Sequence, residues 1–220
     1  DLSAFSNGVD DIPDDKKPDH ARVGEAVYRT AKELQGYISK LEEIRVPVIA
    51  AVHGGVIGGA LDLITACDMR FASNDAFFCI QEINIGMAAD VGTLQRLPKI
   101  IPDSKMREMA YTGRRMLADE AKDSGLVGEV YETQDEMLDA VHKLAAEIAS
   151  KSPVAIYGLK AVMNYSRDHN VSDSLDFNAL WSGAMLSQAD MTEAMTAQME
   201  KRDAKFDKMV DVKKFNESKS

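Results

Sequence analysis

Residues Val48 to Asp90 read VIAAVHGGVIGGALDLITACDMRFASNDAFFCIQEINIGMAAD. Val48 to Val52 is a short apolar run behind Pro47, the pattern of a buried strand. Gly58 and Gly59 close the turn that follows, and Ala60 to Ala66 predicts a helix. A strand–glycine–helix junction aims free backbone N–H groups and the positive helix end at one point. Such a point can hold an oxygen that is gaining negative charge. The glycines alone fit a plain turn equally well. The same stretch carries three carboxylates, Asp62, Glu82 and Asp90, each with an ordinary explanation. Asp62 complements the dipole of its own helix. Glu82 ends a strand facing solvent. Asp90 caps a helix beginning at Val91.

Outward from this stretch, Met69 to Ala72 and Phe77 to Ile80 predict short strands. Asp90 to Ile100, Ser104 to Tyr111 and Leu117 to Ser124 predict helices, the last stopped by Gly125. Leu126 to Tyr131 predicts a final strand and Gln134 to Ala149 a long amphipathic helix. On the N-terminal side, apolar residues from Val23 to Ile44 recur at steps of three and four, the mark of an amphipathic helix that ends before Pro47. Gly36 inside it costs about 1 kcal/mol against alanine, so close packing is expected there. Asp11 to His20 is a polar, Pro-containing loop. After Ser152-Pro153 the texture changes. Pro153 to Ser166, Ser172 to Ser187 and Met191 to Ala204 are helical patterns with no strand between them. An α/β fold is therefore expected in residues 1–150, with a helical subdomain in 151–220.

Lys plus Arg number 26 against 36 Asp plus Glu, a net charge of −10 over 220 residues. That balance argues against a nucleic-acid partner. No apolar run approaches the ~20 residues of a membrane span, and the first residues do not read as a secretory signal. Cys67 and Cys79 have neither metal nor disulfide-framework spacing, and the four histidines, His20, His53, His142 and His169, have no metal spacing either. His53 reads as a packed side chain at a strand end.

The strings GGVIGGALDLITACDMRFAS, FFCIQEINIGMAADVGTLQRLPKIIP and LADEAKDSGLVGEVY resemble, in order and spacing, the enoyl-CoA hydratase/isomerase (crotonase) superfamily. The trio Asp62, Glu82 and Asp90 is similar to that of its dienoyl-CoA isomerase branch. The resemblance implies a crotonase-like spiral of ββα units with a C-terminal helical subdomain that trimerises. Ala4 to Asp10 resembles the superfamily's first oxyanion loop, which implies further strands ahead of Asp1. On this resemblance Val9 and Gly59 supply the oxyanion N–H groups. Ser6, Asn7, Gly8, Val9, Asp10 and Gly59 touch an acyl-CoA substrate, and Asp62, Glu82 and Asp90 are the acid/base residues. Hydratases carry Glu where Asp62 stands and usually Gly where Asp90 stands.

The implied reaction moves the double bonds of a 3,5-dienoyl-CoA to the 2,4 positions, a step of fatty-acid β-oxidation. Rival expectations are an enoyl-CoA hydratase, a simple enoyl-CoA isomerase and a non-catalytic acyl-CoA-binding homologue. No cofactor is implied beyond the coenzyme A of the substrate. The implied location is cytoplasmic in a bacterium, mitochondrial or peroxisomal in a eukaryote, and not extracellular. The Met-rich helices after Pro153 are more apolar than lone surface helices need, which points to a homotrimer or a hexamer.

Overall fold

The structure, a computed structural model, describes residues 19–211. Asp19 opens the first helix among the described residues, α1 (His20–Glu43), by accepting from the N–H groups of Ala21 and Arg22 at 3.0 and 3.1 Å. This is side-chain capping of otherwise orphan donors. The helix buries none of its side chains and leaves Val27, Tyr28, Leu34 and Tyr37 exposed.

Pro47 then turns the chain into β1 (Ile49–Val52) and β2 (Gly55–Ile57), followed by α2 (Gly59–Thr65). The next pair is β3 (Met69–Ser73) and β4 (Phe77–Cys79). The first strand of each pair joins one sheet and the second strand another. β1 pairs in parallel with β3, Ile49 opposite Met69, and β2 in parallel with β4, Gly55 opposite Phe77. One ββα turn is thus stacked on the next, as the expected spiral requires. β5 (Met116–Leu117) runs antiparallel to β4, and β6 (Val130–Tyr131) parallel to β3, giving sheet orders β1-β3-β6 and β2-β4-β5. Leu61 of α2, Phe78 of β4, Leu97, Met109, Met116 and Leu126 are fully buried and form the centre of the core.

Three stretches depart from their sequence patterns. The expected strand Leu126 to Tyr131 pairs only over Val130–Tyr131; the Leu126 and Val127 N–H groups turn back to the Ala121 carbonyl, and the Arg70 Nε–H donates to the Leu126 carbonyl at 2.7 Å. The expected helix from Asp90 to Ile100 is a single turn, α3 (Thr93–Arg96), running into a 3₁₀ turn over Leu97–Lys99 that contains Pro98. Gly36 has nothing within 4 Å of where a Cβ would lie, so close packing does not account for it among the described residues.

Beyond these come α4 (Asp103–Thr112), α5 (Ala118–Ser124) and α6 (Gln134–Ala149), then α7 (Pro153–Asp168), α8 (Val171–Met185) and α9 (Gln188–Glu200). Thr133, Ser152, Asn170 and Ser187 cap α6 to α9 by accepting from the N–H three residues on. Lys160 ties α7 to the core. Its ammonium donates to the Leu41 and Val46 carbonyls at 2.8 and 3.1 Å and to Asp68 Oδ2 at 2.7 Å. Asp68 Oδ2 also accepts from the Val48 N–H at the entrance to β1.

Candidate active site

The glycine junction lies between β2 and α2. Gly58 has φ +55°, a region that glycine tolerates and side chains rarely adopt. Its N–H donates to the Cys79 carbonyl at 3.0 Å, which fixes the turn against the end of β4. A Cβ on Gly58 would meet Glu82 Oε1 at 3.0 Å, so the missing side chain leaves room for that carboxylate. Gly59 begins α2 and is exposed, and its N–H has no partner among the described residues. A free donor at the first turn of a helix is the feature the sequence pattern called for. The other implied donor, Val9, and the implied contacts Ser6, Asn7, Gly8 and Asp10 lie outside the described residues.

Asp62 is on the first turn of α2 and is only 1% exposed. Its Oδ1 accepts from the Thr93 N–H at 2.5 Å, across 31 residues. This carboxylate therefore caps the neighbouring helix α3 as well as sitting at the start of its own. The expectation that Asp90 is a cap is corrected accordingly. The residue before α3 is Gly92, and Asp90 makes no cap hydrogen bond. Asp90 is exposed, and among the described residues only its backbone carbonyl is engaged, by Gln35 Nε2 at 2.7 Å.

Glu82 is not a strand-end residue. It starts a 3₁₀ turn, Glu82–Ile85, whose Gly86 terminus has φ +77°. The turn is tied down by Asn84, whose Nδ2 donates to Gln81 Oε1 and to the Gly113 carbonyl at the end of α4. Glu82 is half-buried, and its Oε2 is enclosed without a hydrogen-bond partner among the described residues. Burial pushes its carboxyl above the ordinary carboxylate range, and the negative charges of Asp62 and Asp90 push the same way. A carboxylate poorly solvated in this way is a better proton acceptor.

Beside the Glu82 turn is a mostly apolar cavity of about 300 Å³, lined by Ile80, Ile83, Met87, Leu94, Met106 and Tyr111, by Ala88, Ala89 and Ala110, and by one charged side chain, Arg107. His53, read above as a packed side chain, is exposed. Among the described residues no group of three His, Cys, Asp or Glu side chains is arranged to hold a metal ion.

The enoyl-CoA hydratase/isomerase family model matches residues 4–209. The chain belongs to this family. Its curated relatives include the mitochondrial Δ(3,5)-Δ(2,4)-dienoyl-CoA isomerase of Rattus norvegicus, 47% identical over 208 residues, covering 91% of this chain and 64% of the relative. The peroxisomal enzyme of that name from Arabidopsis thaliana is 47% identical over 191 residues, covering 87% of this chain and 69% of the relative. This family member thus spans just under two thirds of the rat relative's length. Among solved structures, an enoyl-CoA hydratase from Bacillus anthracis superposes with a TM-score of 0.77 at 30% identity, over 83% of this chain and 70% of that one.

Asp62, Glu82, Asp90 and Gly59 are site residues expected from the family-like strings of the sequence. Thr93, Gln35 and Asn84 carried no signal in the sequence, because each acts through a contact made across at least 29 residues.

Proposed function

We propose that this chain is a dienoyl-CoA isomerase, converting 3,5-dienoyl-CoA to 2,4-dienoyl-CoA. The observation that carries the reading is the division of labour among the three carboxylates. Asp62 is buried with one oxygen committed to the Thr93 N–H, which leaves it poorly placed to handle a water molecule. Glu82 and Asp90 are the uncommitted pair. One removes a proton at C2 and the other delivers one at C6, so the double bonds shift and no atom is gained or lost. The intermediate dienolate carries its charge largely on the thioester oxygen. The Gly59 N–H, with Val9 as its expected partner, stabilises that oxygen, one such donor contributing about 2.7–4 kcal/mol. The apolar cavity beside Glu82 suits the acyl chain. The names of the rat and Arabidopsis relatives favour the same activity and a mitochondrial or peroxisomal site of action.

The test is incubation with 3,5-dienoyl-, 2-enoyl- and 3-enoyl-CoA, followed by ultraviolet absorbance. Conjugation of the 3,5-dienoyl substrate is the expected outcome. Hydration of 2-enoyl-CoA alone would establish the hydratase reading instead, and binding without turnover the non-catalytic one.

The same reading includes a trimer or a dimer of trimers. Leu159, Met163, Leu175, Leu180, Met195 and Met199 on α7 to α9 are all at least 59% exposed in the single chain. That is more apolar surface than lone solvent-facing helices carry. Light scattering is expected to return three or six times the chain mass of 24.1 kDa, and a monomer would reject the assembly.

A further inference from the structure

We propose that Gln35 is a positioning residue that sets where Asp90 stands, acting through the backbone of the loop. The inference rests on the isomerase reading, in which Asp90 moves a proton. The Asp90 side chain has no partner among the described residues to orient it, so its place depends on the main chain that carries it. That main chain is held from α1. Gln35 Nε2 donates to the Asp90 carbonyl at 2.7 Å, and Gln35 Oε1 accepts from Lys32 at 3.2 Å. The second contact determines which end of the amide faces the loop, since only the NH₂ end can serve a carbonyl.

Two residues on, Gly92 has φ +139°, and a Cβ there would lie 1.9 Å from Arg96 Nη1. The Arg96 guanidinium fills the space a side chain would take. It is itself held by Ser39 Oγ at 2.9 Å and Glu42 Oε2 at 2.8 Å. Gln35, Ser39 and Glu42 are spaced i, i+4, i+7, one face of α1. From the other side, Asp62 takes the Thr93 N–H. The segment from Asp90 to Thr93 is thus held at its start by Gln35 and at its end by Asp62, with the Arg96 side chain, itself bonded to α1, lying against Gly92 between them. The polar face of α1 is aimed at the loop that carries Asp90.

Proton transfer needs a reach of about 2.6–3.2 Å, and a misplacement of about 1 Å can cost up to 10²-fold. Gln35→Ala is therefore expected to lower kcat for 3,5-dienoyl-CoA by about tenfold while KM stays within about twofold. Gln35→Glu keeps the shape without the N–H and is expected to lose activity similarly.

The deciding measurement is the cycle of wild type, Gln35→Ala, Asp90→Asn and the double variant, assayed at high enzyme concentration. If Gln35 acts through Asp90, adding Gln35→Ala to Asp90→Asn changes the residual rate by less than about twofold. Gln35→Ala with wild-type kcat overturns the proposal. So does a tenfold loss that recurs in the Asp90→Asn background, which would mean a general effect on the fold. A wild-type chain that hydrates 2-enoyl-CoA and leaves 3,5-dienoyl-CoA untouched overturns the isomerase reading itself, visible in the wild-type arm alone.

Discussion

Asp90→Asn is expected to lower turnover of 3,5-dienoyl-CoA by about 10²–10⁴, the usual worth of one positioned acid or base. The fold survives the change. Asp90 is exposed and caps no helix, since the Thr93 N–H belongs to Asp62. Stability is expected to move by less than about 0.5 kcal/mol, as for ordinary surface substitutions. A second consequence reaches Glu82. Its carboxyl is raised by burial first, then by the charges of Asp62 and Asp90. If Glu82 is the group that takes the C2 proton it works ionised, and the acid limb of kcat/KM in the wild type is expected above the ordinary carboxylate range. Removing the Asp90 charge removes one of the raising influences, and the acid limb of the residual activity moves to lower pH. The sign for stability follows the same group. A raised folded-state pKa means the folded chain holds that proton more tightly than the unfolded chain. Glu82 therefore costs stability as pH rises from its unfolded value through its folded one, and Asp90→Asn relieves part of that cost. Turnover assays and thermal melts across pH check both. Full dienoyl-CoA turnover in Asp90→Asn would remove Asp90 from the proton path.

Lys160→Met is expected to destabilise the chain by about 3–5 kcal/mol, the cost of removing one partner of a buried ion pair. Lys160 is 3% exposed, and its partner Asp68 is 20% exposed. Methionine has a similar length, so little packing volume is lost. What is lost is the counter-charge of Asp68 and the donor to the Leu41 and Val46 carbonyls. Those acceptors sit at the end of α1 and in the segment leading to β1, so the loss falls where α7 meets the core. Urea denaturation measures the change. Adding Asp68→Asn to Lys160→Met should recover part of it, because the uncompensated carboxylate is then gone. A loss below about 1 kcal/mol for the single variant would place the pair with exposed salt bridges, whose contribution is small.

The helices and strands built from local pattern were legible in the sequence. α1, α2, β1, β3, β4 and α4 to α9 fall within a few residues of their apolar periodicity and punctuation by Pro47, Gly125 and Pro153. The family and the three carboxylates were legible too, because the strings around the glycine pairs keep one order and spacing. The short strands β2 and β5 were not, since a segment of two or three residues pairs only when β4 is there to pair with. The role of each carboxylate also waited for the fold. By position along the chain alone, Asp90 could cap a helix from Val91 and Asp62 complement the dipole of its own helix, besides the acid/base roles that the resemblance implies. Yet Thr93, 31 residues from Asp62, comes to lie against it and not against Asp90. Side-chain spacing along the chain prescribes which face of an element a carboxylate occupies. Which backbone donor it meets there depends on how two elements pack, and that is a property of the folded chain alone.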